Sequence, residues 1–206
     1  MATLGFTSAS FKVFEVEGFS ERMQQIYAHV RPRLVRLGDE LAPELARILH
    51  LEFFPHVAKH ARRTVNPPPE TWAAFGPSPR GYKRYGYLAL CISGAGLHAR
   101  AVVKSEADQR LAMARGLKRR GSELAKALSG TKIARYDKWD FHKLPAGVAA
   151  GKEFFEQLGD SVAKKTGGID IGFGWPRGEA LRLERAELLD AFRELEPVYR
   201  VLRSVS

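Results

Sequence analysis

Residues 82–104 read YKRYGYLALCIS, GAG and LHARAVVK in turn, and this stretch decides the fold class of the chain. The first run begins with alternating aromatic residues and ends as a continuous apolar segment, and the second run is again apolar. Two such runs joined by a short glycine-rich link are typical of an antiparallel β-hairpin. Cys91 lies in the first run, with nothing beside it in sequence that would activate a thiol. We therefore interpret it as a small buried hydrophobe.

The chain after the hairpin alternates between helical and extended patterns. Ser105 and Asp108 form an S-x-x-D helix start, and leucines recur behind them at helical spacing. Glycines interrupt the segment GGIDIGFGW at residues 167–175, which is typical of a strand with bulges or a close backbone approach. We expect a helix over residues 105–128, a strand over 131–140, a helix around 154–158, a strand over 167–175 and a helix over 184–203.

The chain before the hairpin is mainly helical. Residues 5–17 alternate apolar and polar side chains, which indicates a short strand or an ordered arm. An amphipathic helix then begins at the N-cap candidate Ser20. We expect Pro32 to kink or split this helix and Gly38 to stop it, before a second helix and a strand at residues 71–75. The order of elements predicts a single α+β domain over residues 1–206, with a mainly antiparallel sheet and helices packed on one face.

The bulk composition limits the class of protein. An apolar fraction of 45% in 206 residues is enough for a hydrophobic core, and a single cysteine excludes an intrachain disulfide framework and a cysteine-rich zinc site. No run approaches the roughly 18 apolar residues that span a bilayer, and the N-terminus does not read as a signal peptide. We therefore expect a cytoplasmic protein without a membrane partner.

Positive charge is concentrated in the middle of the chain. The formal net charge is +10, and residues 51–84 carry six Lys and Arg against two acids. Residues 105–135 carry eight against three, whereas residues 176–206 carry six of each. A clustered positive field attracts phosphates, nucleic acid or anionic surfaces, and the alternative is a basic surface that is simply solvated.

The segment before the hairpin concentrates side chains that can carry chemistry. Residues 53–83 read FFPHVAKHARRTVNPPPETWAAFGPSPRGYK. Pro55 is a candidate start for a short helix, which would place His56 and His60 on one side because residues four apart are neighbours on a helix. The three prolines at 67–69 force an extended path and turn the chain. We expect this turn to bring Arg80 and Lys83 back towards the first group of cations.

This segment also resembles the YktB-like family, a bacterial family of uncharacterised proteins. The run from the histidine pair through the Asn-Pro-Pro turn to the tryptophan, followed by Arg-Gly-Tyr-Lys, carries the resemblance. The matching positions are His56, Lys59, His60, Arg62, Arg63, Thr64, Asn66, Pro67, Pro68, Trp72, Arg80, Gly81, Tyr82 and Lys83. The match is close over residues 5–83 and looser afterwards, where Arg84, Tyr85 and Gly86 depart from the family pattern. The resemblance implies one α+β domain and brings no activity with it.

The first functional hypothesis is the binding of an anionic small molecule or a nucleic acid in a basic pocket or groove. Arginine holds phosphate with two parallel hydrogen bonds, lysine adds a point charge, and aromatic rings can stack a base. The alternative is that the arginines pair with acids and Trp72 belongs to the core. The candidate ligand-binding residues are Lys59, Arg62, Arg63, Thr64, Asn66, Trp72, Arg80, Tyr82 and Lys83.

The second hypothesis is an enzyme in which His56 and His60 act as general acid and base on a phosphate-containing substrate. We expect no metal, because the run H-V-A-K-H lacks the glutamate of zinc helices and places Lys59 beside the pair. No cofactor is expected either. A third possibility is a protein-interaction module that docks an acidic partner on a basic helix face at residues 115–120.

Overall fold

A computed structural model of the protein describes residues 3–61, 63–137 and 139–203. Eight α-helices and seven β-strands are present in these ranges. The helices are α1 (Ser8–Lys12), α2 (Phe19–His29), α3 (Arg31–Leu49), α4 (Arg110–Arg119), α5 (Gly121–Ala127), α6 (Lys152–Ala163), α7 (Arg177–Ala180) and α8 (Arg185–Arg203). The strands are β1 (Phe54–Val57), β2 (Glu70–Gly76), β3 (Tyr87–Ser93), β4 (Gly96–Val103), β5 (Lys132–Arg135), β6 (Val148–Ala149) and β7 (Ile169–Pro176).

The strands form one sheet in the order β1-β2-β3-β4-β7-β5-β6, and each neighbouring pair is antiparallel. The predicted hairpin is confirmed as β3 and β4, which pair from Tyr87↔Val102 to Ser93↔Gly96. Both strands are buried along their whole length, because they lie at the centre of the sheet. The predicted α+β class with a mainly antiparallel sheet is therefore confirmed.

The two faces of the sheet have different coverings. Leu90, Ala99 and Ile171 project from one face into a large core with the apolar sides of the helices. The other face, here called the open face, carries Trp72 and Cys91 among other residues, and its small apolar cluster draws on β2, β3, β4 and Tyr82. No α-helix contributes to that cluster in the part of the chain that the structure describes, and Tyr82 belongs to a 3₁₀ turn. The prediction of helices on one face is confirmed, and Cys91 is 3% exposed, as expected for a small buried hydrophobe.

Two elements near the N-terminus differ from the sequence-based expectation. Residues 5–17 contain α1 and a 3₁₀ turn, not a strand, and the side chains of Thr7 and Ser10 cap α1 reciprocally. Pro32 does separate α2 from α3. However, α3 runs through Gly38, where the missing side chain admits close packing: a Cβ there would lie 3.2 Å from Pro55.

The helix predicted over residues 105–128 begins later and is divided in two. Asp108 does not cap a helix, because it forms an ion pair with Arg84 at 2.7 Å, and α4 begins at Arg110. The division lies at Gly121, where a Cβ would come within 3.2 Å of the backbone oxygen of Lys152. Close packing against α6 thus decides where the chain bends. Among the described residues, no helix combines the length and the apolar character that crossing a membrane requires.

Candidate functional site

The histidine segment forms a strand and a bend. His56 lies in β1, opposite Ala74 of β2, and His60 follows the strand in a left-handed backbone conformation with φ of 50°. The helix predicted to start at Pro55 is therefore wrong. Pairing with β2 satisfies backbone groups that a single helical turn would leave open, and it separates the two histidines.

Each histidine has its own set of contacts. His56 Nε2 donates to the carbonyl oxygen of Ser78 at 2.9 Å, and its ring stacks on Tyr82 with centroids 4.9 Å apart. His60 Nε2 hydrogen-bonds Thr71 Oγ1 at 3.0 Å, and its ring meets Trp72 edge-on at 5.4 Å. The structure therefore places the two imidazoles in different environments rather than as a facing pair.

The predicted aromatic residues Trp72 and Tyr82 do come together. Trp72 Nε1 donates to Tyr82 Oη at 3.1 Å, and Tyr82 also meets Tyr87 edge-on at 4.9 Å. Lys83 Nζ lies 5.9 Å from the centre of the Trp72 ring, within the range of a cation–π contact. His56 thus covers one face of the Tyr82 ring, and Lys83 lies over one face of the Trp72 ring.

Two of the predicted cations share a cleft of about 700 Å³, here called the basic cleft. Lys59 and Lys83 line it together with Arg31 and Arg84, and His56 and Tyr82 form part of its wall. The cleft also contains the acidic residues Asp39 and Glu106. Arg31 was not predicted as a site residue. It belongs to α3, far upstream, and no local pattern connects it to the histidine segment.

The electrostatic environment of His60 shows how closely the cations gather. Burial lowers the pKa of His60, and the charges of Arg63, Lys83 and Arg31 lower it further, to about 4. The imidazole is therefore neutral at pH 7. The three arginine and lysine side chains come from α3, from the bend after β1 and from the turn before β3, so tertiary packing brings distant segments to one point.

The remaining predicted ligand residues lie elsewhere. Thr64, Asn66 and Arg80 are exposed and, within the described ranges, are not among the residues that line the basic cleft. The Arg80 backbone NH donates to Ser78 Oγ at 3.4 Å, and Arg63 Nη1 donates to the carbonyl oxygen of Asn66 at 3.4 Å. Arg62 lies outside the described residues.

A second polar group, which the sequence analysis missed, lies buried on the open face. Arg100 is fully buried between Glu70, whose Oε2 lies 2.8 Å from Nη2, and Asp170, whose Oδ2 lies 3.2 Å from Nη1. Lys104 Nζ also reaches Asp170 at 3.5 Å. Burial raises the pKa of Glu70. The only available sequence signal was a charged residue inside each of two apolar strands, at Arg100 and Asp170.

No group of three or more His, Cys, Asp or Glu side chains in residues 3–61, 63–137 and 139–203 is arranged to hold a metal ion. The basic helix face is partly neutralised, because Lys118 pairs with Asp160 and Arg120 pairs with Glu123 at 2.6 Å. The site that gathers the predicted residues is therefore the basic cleft and the aromatic group beside it.

Comparison with known proteins identifies the family. The chain matches a family model described as a domain of unknown function (DUF1054) over residues 6–199. A UPF0637 protein of Lysinibacillus sphaericus (strain C3-41) is 34% identical over 210 residues, which cover 98% of this chain and 97% of that protein. A UPF0637 protein of Bacillus velezensis is 31% identical over 218 residues, which cover 100% of both chains. A UPF0637 protein of Bacillus licheniformis is 49% identical over a shorter segment of 90 residues, 44% of this chain and 43% of that protein.

These matches extend over the whole chain and confirm the resemblance that the histidine segment indicated. The chain belongs to the DUF1054 family, the family of the YktB-like UPF0637 proteins.

Proposed function

We propose that the protein binds a small phosphate-bearing anion in the basic cleft, with Arg31, Lys59 and Lys83 as its principal charged ligands. The observation that carries this proposal is the convergence of cations from three separate segments on the basic cleft: Arg31 from α3, Lys59 from the segment after β1, and Lys83 from the turn before β3. A site with several cations and few acids favours a multiply charged anion, because each oxygen of the anion can take its own donor.

The contacts of the nearby cations support the proposal. In the described part of the chain, neither Arg31, Lys59 nor Arg63 forms an ion pair with a carboxylate. Arg31 is held in place by donating from Nη1 to the carbonyl oxygen of Ala58 at 2.9 Å. Cations that are positioned by backbone contacts, without acidic partners, keep their attraction for an external anion.

A small anion fits the cleft better than a single-stranded nucleic acid. Base stacking requires exposed ring faces, whereas His56 stacks on Tyr82, and both His60 and Lys83 contact the Trp72 ring. The histidine-pair enzyme hypothesis receives less support. Both Nε2 atoms already have hydrogen-bond partners, and those partners are a carbonyl and a hydroxyl, with no carboxylate to orient a base.

The test is isothermal titration calorimetry with inorganic pyrophosphate at fixed ionic strength. The double variant Lys59→Gln/Lys83→Gln removes two cations that line the cleft, and Arg115→Gln/Arg119→Gln removes two exposed cations from α4 as a matched control. We expect binding to the unmodified protein and to the control, and a loss of affinity of about tenfold or more in the first variant. Equal losses in the two variants would mean that only net charge matters, and the proposal would be wrong.

Fluorescence anisotropy with labelled single-stranded RNA and DNA distinguishes the other class of ligand. If the oligonucleotides bind more tightly than pyrophosphate, and Lys59→Gln/Lys83→Gln weakens them, the cleft is a nucleic-acid site and the small-anion assignment is wrong. Native mass spectrometry of the purified protein gives an independent measurement, because a co-purifying phosphate compound would appear as a mass shift that the double variant loses.

A further inference from the structure

The basic cleft follows the edge of the sheet. β1 is the edge strand, α3 packs beside it on the helical face, and Tyr82 belongs to the cluster on the open face. The cleft takes its lining from both sides of this edge and has a volume of about 700 Å³. That volume lies within the range of small-molecule sites and exceeds what a phosphate group alone would fill. The rest of the lining should therefore match the remainder of the ligand.

The direction of α3 fixes where the positive charge lies. Arg31 Nη1 donates to the carbonyl oxygen of Ala58, just beyond the end of β1, at 2.9 Å. Gly38 instead packs at the start of β1, where a Cβ would lie 3.2 Å from Pro55. α3 and β1 therefore run in opposite directions. This places Arg31 at the same end of the cleft as Lys59, the residue that follows Ala58.

An apolar wall adjoins this positive end. Val35 lies one helical turn beyond Arg31, about 6 Å further along the axis of α3. The Val35 side chain lines the cleft and is 41% exposed, and Pro55 and Val57 of β1 line the cleft with it. Exposed aliphatic surface beside cations can be buried by an apolar group that is attached to an anion, and this burial stabilises the complex.

The charge changes sign beyond the apolar wall. Asp39 lines the cleft one further turn along α3, about 12 Å from Arg31 along the axis. Its carboxylate would repel a second phosphate at that end of a ligand. On the opposite wall, Arg84 pairs with Asp108 at 2.7 Å. The lining therefore favours a ligand with its anionic group at one end and an uncharged remainder.

The edge strand is unsuited to the addition of a peptide strand. β1 has four residues, and one of them is Pro55, which has no backbone NH to donate. Strand addition depends on a row of main-chain hydrogen bonds along an exposed edge. The cleft therefore suits a small molecule better than an extended peptide.

We infer that the ligand of the basic cleft is a phosphate ester of a short aliphatic alcohol. This inference rests on the proposed function and specifies the class of its ligand. In this arrangement Arg31, Lys59 and Lys83 donate to the phosphate oxygens, and the aliphatic group lies against Val35 and Val57.

The experiment is isothermal titration calorimetry of the full chain with n-hexyl phosphate and methyl phosphate at constant ionic strength. The two esters share the charged group and differ in the length of the apolar chain. Val35→Ser removes the aliphatic side chain from the cleft wall, and Leu111→Ser removes an exposed one from α4, outside the cleft lining, as a matched control. We expect the unmodified protein and the control to bind n-hexyl phosphate about tenfold or more tightly than methyl phosphate, and Val35→Ser to lose most of this difference.

The heat-capacity change of binding gives a second measurement, because burial of apolar surface makes it more negative. We expect a more negative value for n-hexyl phosphate than for methyl phosphate in the unmodified protein, and a smaller difference in Val35→Ser. Val and Ser have similar helix propensities, so the melting temperature of Val35→Ser should change little. Equal affinities of the two esters for the unmodified protein, or a difference that Val35→Ser leaves intact, would overturn the inference.

The outcomes separate this inference from the proposed function. If pyrophosphate and methyl phosphate bind through Lys59 and Lys83, but n-hexyl phosphate binds no more tightly than methyl phosphate, the proposed function stands and only the further inference is wrong. If no phosphate compound binds, both are wrong. Flotation with phosphatidylcholine vesicles, with and without phosphatidic acid, tests a membrane source of the same chemistry. Vesicle binding that requires Lys59 and Val35, without binding of free n-hexyl phosphate, would overturn the assignment to a soluble ester.

Discussion

Arg100 and Asp170 form an ion pair at the centre of the sheet, with 3.2 Å between Nη1 and Oδ2, on the face that the described helices leave uncovered. Glu70 lies on the other side of the same guanidinium, and the ring of Tyr136 lies 4.1 Å from its central carbon. A charge this deeply buried is tolerated only when opposite charges lie in direct contact with it. This group therefore makes the stability of the fold sensitive to each of its members.

We expect Arg100→Met to lower the free energy of unfolding by about 3–5 kcal/mol, because it leaves buried Glu70 without its cation and Asp170 with Lys104 alone. Urea denaturation followed by circular dichroism measures this change. The triple variant Arg100→Met/Glu70→Gln/Asp170→Asn neutralises the carboxylates as well and should recover part of the loss. If the single and triple variants were equally unstable, the cost would come from packing and not from unpaired charge.

The pKa of His60 predicts how stability depends on pH. Its folded value of about 4 lies below the ordinary value of 6.5, so between these values the unfolded chain binds a proton that the folded protein does not. The free energy of unfolding should therefore fall as the pH decreases from 6.5 to 4. Thermal melting across this range, compared between the unmodified protein and His60→Gln, measures the contribution, and parallel profiles would contradict the prediction.

The pKa of His60 should also depend on the charge of the nearby cations. Arg63→Gln should raise the pKa of His60, because it removes one of the charges that lower it, and a bound anion should raise it for the same reason. Nuclear magnetic resonance titration of the imidazole protons measures both shifts. Arg119→Gln, on α4, is the control that should leave the pKa of His60 unchanged.

Gly96 is predicted to be essential for the central hairpin. Its φ of 154° favours glycine, and a Cβ would lie 2.0 Å from the carbonyl oxygen of Trp175 in the neighbouring strand. We expect Gly96→Ala to destabilise the protein by about 2 kcal/mol or more, measured by urea denaturation. Gly178→Ala is the matched control, because a Cβ there meets no atom within 4 Å, and it should be neutral or slightly stabilising.

Cys91 is predicted to be unreactive in the folded protein. The residue is 3% exposed, and burial raises the pKa of its thiol, so the nucleophilic thiolate is scarce. The thiol reagent 5,5′-dithiobis(2-nitrobenzoate) should react with Cys91 more slowly in native buffer than in denaturant, by a factor of about 100 or more. Rapid reaction in native buffer would show that the open face is accessible at its centre.

Much of the fold could be predicted because its signals are local. The hairpin of β3 and β4 is encoded by two apolar runs and a glycine link, and the last helix by its regular leucines. The prediction for the histidine segment was wrong because a run of five or six residues that begins with proline is compatible with either a helical turn or an edge strand. Pairing with β2, which no local pattern shows, decided between them.

Only the part of the candidate site that is local in sequence could be predicted. Lys59 and Lys83 lie close together in sequence and reach the same cleft, whereas Arg31 joins them only because α3 packs against β1 and β2. The buried Arg100 was missed because its charge contradicts the apolar strand around it, and its partners Glu70 and Asp170 lie 30 and 70 residues away in sequence.

The sequence by itself determined the family, the α+β class, the central hairpin and the position of the positive charge along the chain, since all of these depend on residue type and short-range periodicity. Only the tertiary structure decided which charges meet: cations around His60, and Arg100 between two carboxylates. The physical reason is that electrostatic interaction depends on distance and burial in space, and strand order and helix packing set both of these over long separations in sequence.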